Sequence, residues 1–115
     1  MASVEEKVIE YLNNQLKPTP CYAEYPEEEK KAPFICIERT GQSITNHVAR
    51  TTLAVQCISS TMLGAIELSE TAKRTLYGME EDENVSMIFR NSYNHTDPTS
   101  KFYRYQLIFE VITIE

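Results

Sequence analysis

The end of the chain restricts the fold most, because apolar and polar side chains alternate there over a long stretch. One set of alternate positions predicts a β-strand with a buried face: Tyr103, Tyr105, Leu107, Phe109 and Val111. The opposite face of that strand would carry a mixed set: Arg104, Gln106, Ile108, Glu110, Ile112 and Ile114. That mixture is too apolar for free solvent and too polar for the core of a monomer. We therefore expect either the first helix or a neighbouring subunit to cover it.

Three further segments have the residue pattern of strands. Alternation at Val85, Met87 and Phe89 predicts an antiparallel partner for the last strand, with 94–100 as the turn. "PFICIERT" places Phe34 and Cys36 on one face and Ile35 and Ile37 on the other, so both faces are covered until Glu38. "RTTLAVQCIS" is typical of a central strand, with an apolar face of Leu53, Val55 and Cys57.

Two other segments between the helices and strands have weaker patterns. "TPCYAEYP" is bracketed by prolines and predicts a short edge strand, followed by the solvated connector "EEEKKA". In residues 41–49, apolar and polar residues follow no sustained helical or strand period, and the segment contains glycine and asparagine. This pattern predicts a long hairpin loop.

Two helices are indicated by periodicity and by their caps. Ser3 and Glu6 form a capping box, and the helix they begin should end near Leu16, ahead of Pro18. A second helix from about 61 to 77 should be capped by Ser59 or Ser60 and end at Gly78. Its apolar stripe is Met62, Ala65, Ile66, Leu68, Ala72, Leu76 and Met79.

Together these elements predict an α+β fold. We expect one domain, 1–115, with a mainly antiparallel sheet of four to five strands packed by two helices in a single layer. The expected core contains Leu53, Val55, Ile66, Leu76, Leu107 and Phe109.

Charge and cysteine content exclude several classes of function. The net charge of -6 argues against tight nonspecific binding of nucleic acid. Three widely spaced cysteines fit neither a disulfide framework nor a zinc site and suit a reducing cytoplasm. The sequence contains no apolar run long enough to span a membrane and has acids where a secretory signal would have bases.

Catalytic signatures are absent from the sequence, so we predict no enzyme activity, no cofactor and no metal. It lacks the nucleophile elbow, the phosphate-binding loops and the zinc-protease helix motif. One alternative stays open, in which His47, His95, Asp97 and a cysteine such as Cys57 meet in a pocket of a small ligand-binding or enzymatic domain. Loop histidines and buried cysteines are more often without such a role.

The order of these segments resembles that of the tail terminator (tail completion) proteins of long-tailed bacteriophages. The resemblance spans nearly the whole chain and is carried by "PFICIERTGQ", "TLAVQCISST" and the helix "MLGAIELSETAKRTL". The chain departs from the pattern at Gln42, where a second glycine is common, and at Ile58, where an aromatic residue is common.

The resemblance implies a structural subunit made in a bacterial host's cytoplasm, from a phage or prophage. Such subunits assemble as a homohexameric ring that caps the tail tube and joins the head connector, so the expected partners are other copies, the tube protein and the connector protein. Combined with the strand ends and loops above, it predicts a subunit or partner interface at Glu38, Arg39, Gln42, His47, Arg50, His95, Asp97, Ile108 and Ile112. A head-tail adaptor or a tube subunit of similar size is the alternative within phage assembly.

Overall fold

The computed structural model describes residues 3–23, 32–82, 85–99 and 101–114. The elements in chain order are α1 Val4–Gln15, β1 Cys21–Tyr22, β2 Phe34–Thr45, β3 Val48–Ser59, α2 Met62–Tyr77, α3 Met79–Asp82, β4 Ser86–Asn94 and β5 Tyr103–Ile114. The strands form one five-stranded sheet in the order β1-β2-β3-β5-β4. β1 is parallel to β2, and the other pairs are antiparallel. The predicted α+β fold, with two helices on a mainly antiparallel sheet, is confirmed.

Helix α1 begins and ends where its sequence signals predict. The Ser3 hydroxyl accepts a hydrogen bond from the Glu6 amide at 3.2 Å, which satisfies one of the unpaired donors of the first turn. The Leu16 amide donates to the Leu12 carbonyl at 2.9 Å and closes the last turn.

The predicted edge strand is confirmed in β1. The Asn13 side chain of α1 binds both the amide and the carbonyl of Cys21, at 2.8 and 3.1 Å. This pair of bonds fixes β1 to α1. The predicted connector lies mostly outside the described residues.

Helix α2 is capped by Thr61, so the prediction of Ser59 or Ser60 was wrong. The Thr61 hydroxyl accepts from the Gly64 amide at 3.0 Å, whereas Ser59 is the buried last residue of β3. A Cβ at Gly64 would lie 2.8 Å from the Thr61 hydroxyl oxygen and still closer to the Ser59 hydroxyl oxygen. Glycine therefore lets the helix start directly against the end of β3.

Both long helices pack on the same face of the sheet and share one core. The buried side chains of that core include Val8 and Leu12 from α1, Ala72 and Leu76 from α2, and a set from the strands: Ile35, Ile37, Leu53, Val55, Cys57, Leu107, Phe109 and Val111. Five of the six predicted core residues are confirmed.

The sixth, Ile66, is 36% exposed, so its prediction was wrong. The buried face of α2 is narrower than its apolar stripe and consists of Ala65, Ser69, Ala72 and Leu76. Three of these four side chains are small, which allows the helix to lie close to the sheet. Ile66 points to the side of this narrow contact.

The prediction of a long loop at 41–49 was wrong, because β2 and β3 continue through it as a regular hairpin. Thr45 is paired with Val48, and the two turn residues Asn46 and His47 have positive φ of 51° and 66°. Two positive values identify a type I′ turn, whose twist matches that of the flanking strands. A β-bulge at Thr40 precedes this extension, and we call residues 41–50 the arm.

Candidate interface surface

The second face of the sheet has no helix against it among the described residues. Of the two covers expected for the mixed face of β5, the first helix is excluded, since the buried side chains of α1 lie in the core on the other side. Ile108 and Ile112 remain half-buried on this face, beside Ala54 and Arg50 of β3. We call this surface the open face.

A carboxylate bound by two arginines lies at the centre of the open face. Glu110 accepts from Arg50 at 2.9 Å through one oxygen and from Arg90 at 2.7 and 3.1 Å through the other. The hydrogen bonds from Arg90, followed by those from Arg50, hold the pKa of the Glu110 carboxyl below its ordinary value. The arginine side chains are 53% and 52% exposed, so the group presents one surplus positive charge to solvent.

A second polar group, a chain of three side chains, crosses the open face at Gln106, four residues before Glu110 in β5. The Gln56 amide donates to the Gln106 side-chain oxygen at 3.1 Å, and the Gln106 amide donates to the Tyr93 hydroxyl at 2.6 Å. The two glutamines are buried, and burial of an amide without a partner would be costly. Within the described part of the chain, every buried side-chain nitrogen and oxygen atom has a partner.

A small second core closes one end of the open face. Phe34, Cys36 and Ile58 are buried there, and the ring of Phe34 makes edge contacts with Tyr22 and Phe102 at centroid distances of 5.9 and 6.3 Å. The predicted covering of both faces of β2 as far as Ile37 is thereby confirmed, as is the loss of burial at Glu38.

The predicted interface residues of the arm and of the adjoining part of β2 lie on different sides of the sheet. The Arg39 guanidinium binds Glu5 of α1 at 3.0 Å and Gln42 at 3.2 Å, and Gln42 binds the Thr51 hydroxyl at 2.8 Å. These bonds brace the arm against the helical layer. Glu38 lies exposed on the open face, and His47 lies in the turn at the arm tip.

The other predicted residues, His95 and Asp97, lie at the opposite end of the sheet from the arm tip. The His95 amide donates to the Arg104 carbonyl at 2.9 Å, and its ring makes an edge contact with Tyr93 at 5.9 Å. The Asp97 carboxylate accepts from the amide and the hydroxyl of Thr99 at 2.9 and 2.8 Å. The bond from the Thr99 amide contributes most to lowering the pKa of Asp97.

The structure therefore divides the nine predicted residues into three groups. Glu38, Arg50, Ile108 and Ile112 share the open face, whereas Arg39, Gln42 and His47 lie on the helix side or at the tip of the arm. His95 and Asp97 occupy the far end of the sheet.

The alternative catalytic set is not assembled. His47 lies ten residues along β3 from Cys57, which corresponds to about 33 Å of extended chain. Cys57 is fully buried in the main core, and burial raises its pKa. Burial likewise raises the pKa of Cys21 to about 12 and that of Cys36 to about 11, so these thiols are poor nucleophiles.

The described depression and the positions of possible metal ligands do not support the ligand-binding or enzymatic alternative either. An open depression of about 280 Å³ lies between the arm and Glu110, and its lining contains neither histidine nor cysteine. Across residues 3–23, 32–82, 85–99 and 101–114, no three side chains of the types that bind metals cluster together. None of the helices described above is long and apolar enough to cross a membrane.

Several residues of this surface were not singled out from the sequence. Glu110 was recognised only as part of a mixed face, and Arg90 and the Gln56–Gln106–Tyr93 chain were not paired with anything. The pairing of Arg50 with Arg90 through Glu110 depends on the register of three strands. Charges at alternate positions of neighbouring strands were the available signal, but without a register they do not identify partners.

The fold of this chain occurs in other solved structures. No family model matches the sequence, and a search of curated proteins finds no match. Among solved structures, the fold is similar to a chain of the virion of a native gene transfer agent (GTA) particle, with a TM-score of 0.74 and 11% sequence identity. The similarity covers 98% of this chain and 96% of that chain. The two chains thus share one fold over nearly their whole length.

Proposed function

We propose that this protein is a structural subunit of a phage-like particle and acts as a tail terminator. In this role, copies of the chain form a ring, with six as the expected number, that caps the tail tube, stops its polymerisation and offers a surface to the head connector. The observation that carries the proposal is the fold similarity to a chain of the gene transfer agent virion, because it extends over nearly all of both chains. Independently, the order of the sequence segments resembles that of the tail terminator proteins of long-tailed bacteriophages.

The open face supports this proposal on physical grounds. It combines half-buried isoleucines with satisfied polar groups, which suits a surface that is wet in the free subunit and covered after assembly. The nine predicted interface residues lie at three places on the subunit. A ring needs two different patches that meet between neighbours, so separate places are compatible with ring closure.

The catalytic alternative has no comparable support. Its candidate residues lie far apart, and its thiols are buried with raised pKa values. A head-tail adaptor or a tube subunit remains the alternative within particle assembly, and it differs from a terminator in what the purified protein does to tail tubes.

The deciding experiment adds the purified protein to tail tubes assembled without a terminator. A terminator binds one end of each tube as a single ring and prevents further growth, which electron microscopy and tube-length distributions measure. A tube subunit would instead lengthen tubes or polymerise alone at high concentration. Tubes that keep growing, with no ring at their ends, would contradict the proposal.

A matched pair of variants relates this activity to the open face. Ile112→Asp places a charge on the open face, and Ile66→Asp places the same charge on the exposed side of α2. We expect the first variant to fold but fail to cap tubes and the second to cap them normally. Far-UV circular dichroism and a thermal melt check that both are folded.

A further inference from the structure

The sheet has two edges with long unpaired segments. Within the described residues, β1 covers the outer edge of β2 only at Ile35 and Cys36, which leaves the nine residues 37–45 without a strand beside them. The other edge is β4, also nine residues long, whose described partner is β5 alone. An edge with free amide and carbonyl groups is a template for another strand.

The directions of the two edges allow them to pair between copies. Three successive antiparallel pairings separate β2 from β4, so the two strands run in opposite directions within one subunit. When two copies stand side by side in the same orientation, β4 of one therefore lies antiparallel to β2 of the other. The contact joins different patches of the two copies and can repeat around a closed ring.

The two edges also carry matching irregularities. β2 has one extra residue at Thr40, and β4 has one extra residue at Arg90. Each bulge lies next to the same row of the sheet, in which Arg39, Leu53, Phe109 and Phe89 are aligned. Beyond a bulge the alternation of side chains along the strand is reversed. Two strands can therefore pair in one uninterrupted register, with paired side chains on the same face on both sides of the bulge, only if both contain one.

When residues 37–45 of one copy pair with residues 86–94 of the next over their whole length, the two side chains of each pair outside the bulges lie on the same face of the sheet. Thr45 then lies opposite Ser86 and Ser43 opposite Ile88, on the open face, and Ile44 lies opposite Met87, on the helix face. Glu38 and Tyr93, beyond the bulges, again share the open face. In this register the bulges fall within one residue of each other, with Gly41 opposite Arg90. A Cβ at Gly41 would meet nothing within 4 Å, so there is room for the arginine.

The geometry points to a second copy of this chain as the partner of both edges. We infer that residues 37–45 of β2 pair antiparallel with β4 of the next subunit, so that the sheet continues from one copy to the next. The inference rests on the proposed function, since it names the contact that closes the ring. The pairing covers Ile44, which is 53% exposed in the free subunit. Polar residues such as Gln42 and Ser43 on one edge and Arg90 and Asn91 on the other disfavour pairing with unrelated strands.

Single cysteines placed on the two edges test the contact directly. Thr45 and Ser86 are exposed and face each other in the inferred register, so each is replaced by cysteine in a separate variant. The three native cysteines are buried and should not interfere. Under mild oxidation at high concentration, we expect a 1:1 mixture of the two variants to form disulfide-linked dimers and either variant alone to form few. The double variant should give a ladder of covalent multimers. Thr45→Cys mixed with Ser60→Cys, an exposed site at the start of α2, is the control and should not cross-link.

A charge on the arm provides an independent test without new thiols. Ile44→Lys places a lysine in the pairing edge, and Leu63→Lys places one at the start of α2, where Leu63 is 66% exposed and belongs neither to a sheet edge nor to the open face. Sedimentation velocity should show self-association weakened by about tenfold or more in the first variant and unchanged in the second. Equal effects of the two lysines would overturn the inference.

The outcomes separate this inference from the proposed function. Rings that cap tubes but give no Thr45–Ser86 cross-link would refute the edge pairing and leave the terminator role standing. Cross-linked multimers that do not affect tube growth would support the pairing and contradict the terminator role. Failure of both cross-linking and capping would overturn both.

Discussion

Replacing Leu107 or its neighbour Ile108 by alanine tests whether the helices cover one face of the sheet only. The two side chains are adjacent in β5 and point to opposite faces. Leu107 is 1% exposed in the main core, whereas Ile108 is half-buried on the open face. Leu107→Ala removes three buried carbons, worth about 2.5 kcal/mol of transfer free energy, and leaves a cavity that adds about 1 kcal/mol. Ile108→Ala removes carbons that are only partly withdrawn from water, so we expect a loss of about 1 kcal/mol.

Urea and thermal unfolding of the dilute protein measure this difference. At about 4 °C per kcal/mol for a chain of this size, the melting temperature should fall by about 14 °C for Leu107→Ala and about 4 °C for Ile108→Ala. In a capping assay the order should reverse, because Ile108 belongs to the proposed interface. Equal losses of stability in the dilute protein would refute the one-sided core, since Ile108 would then be covered within the subunit.

Three further changes test individual features of the structure. Glu110→Gln should reduce the free energy of unfolding at pH 7, and the difference from the parent should shrink as pH falls below about 4.5. A carboxyl with a lowered folded pKa stabilises the fold above its ordinary value near 4.5, and this stabilisation is lost as pH falls through the folded pKa. Equal urea midpoints for the variant and the parent at pH 7 would contradict this expectation. His47→Gly should raise the free energy of unfolding by about 0.5 kcal/mol in the same assay, because glycine adopts the positive φ of this turn without strain, whereas His95→Gly should bring no gain. The buried thiols of Cys21, Cys36 and Cys57 should react with a thiol reagent orders of magnitude more slowly in the native protein than in urea, and rapid native labelling would show that they are accessible.

The elements that could be predicted from sequence are those with one buried and one exposed face, or with two buried faces. β5 alternates because Leu107 and Phe109 face the helices, and β2 is continuously apolar at Phe34–Ile37 because a core lies on each face. The cap at Ser3 was predictable because its hydroxyl satisfies a backbone amide of the first turn. Gly78 ends α2 as predicted but with φ of -63°, and glycine is needed there for space, since a Cβ would lie 2.7 Å from the Tyr11 hydroxyl oxygen.

Most of the arm could not be predicted because its side chains are exposed to solvent on both faces. Residues 42–47 are all exposed, so burial imposes no period of two on the sequence. The remaining signal was the turn itself, since the pair Asn46-His47 lies between the β-branched residues Thr45 and Val48 and asparagine tolerates positive φ. Histidine at the second turn position, where glycine is usual, hid that signal.

The candidate site was only partly predictable, for a different reason. The mixed composition of the outer face of β5 indicated that something must cover it, but composition does not tell which groups satisfy one another. The Glu110 carboxylate, for example, links Arg50 of β3 with Arg90 of β4, residues 40 positions apart in the chain. Such pairs depend on strand order and register, which follow from the packing of the whole sheet.

The polar groups of the open face suit the two states that the proposed function requires, a free subunit and an assembled one. Gln56, Gln106 and Tyr93 bind one another, and Glu110 binds two arginines, so covering this face would leave few polar atoms without partners. In the free subunit the same groups keep the surface wettable between the isoleucines. An all-apolar face would be covered more strongly but would also associate with any other apolar surface. Hydrogen-bonded polar side chains with a few isoleucines therefore favour a partner of complementary shape and discriminate against one that is only hydrophobic.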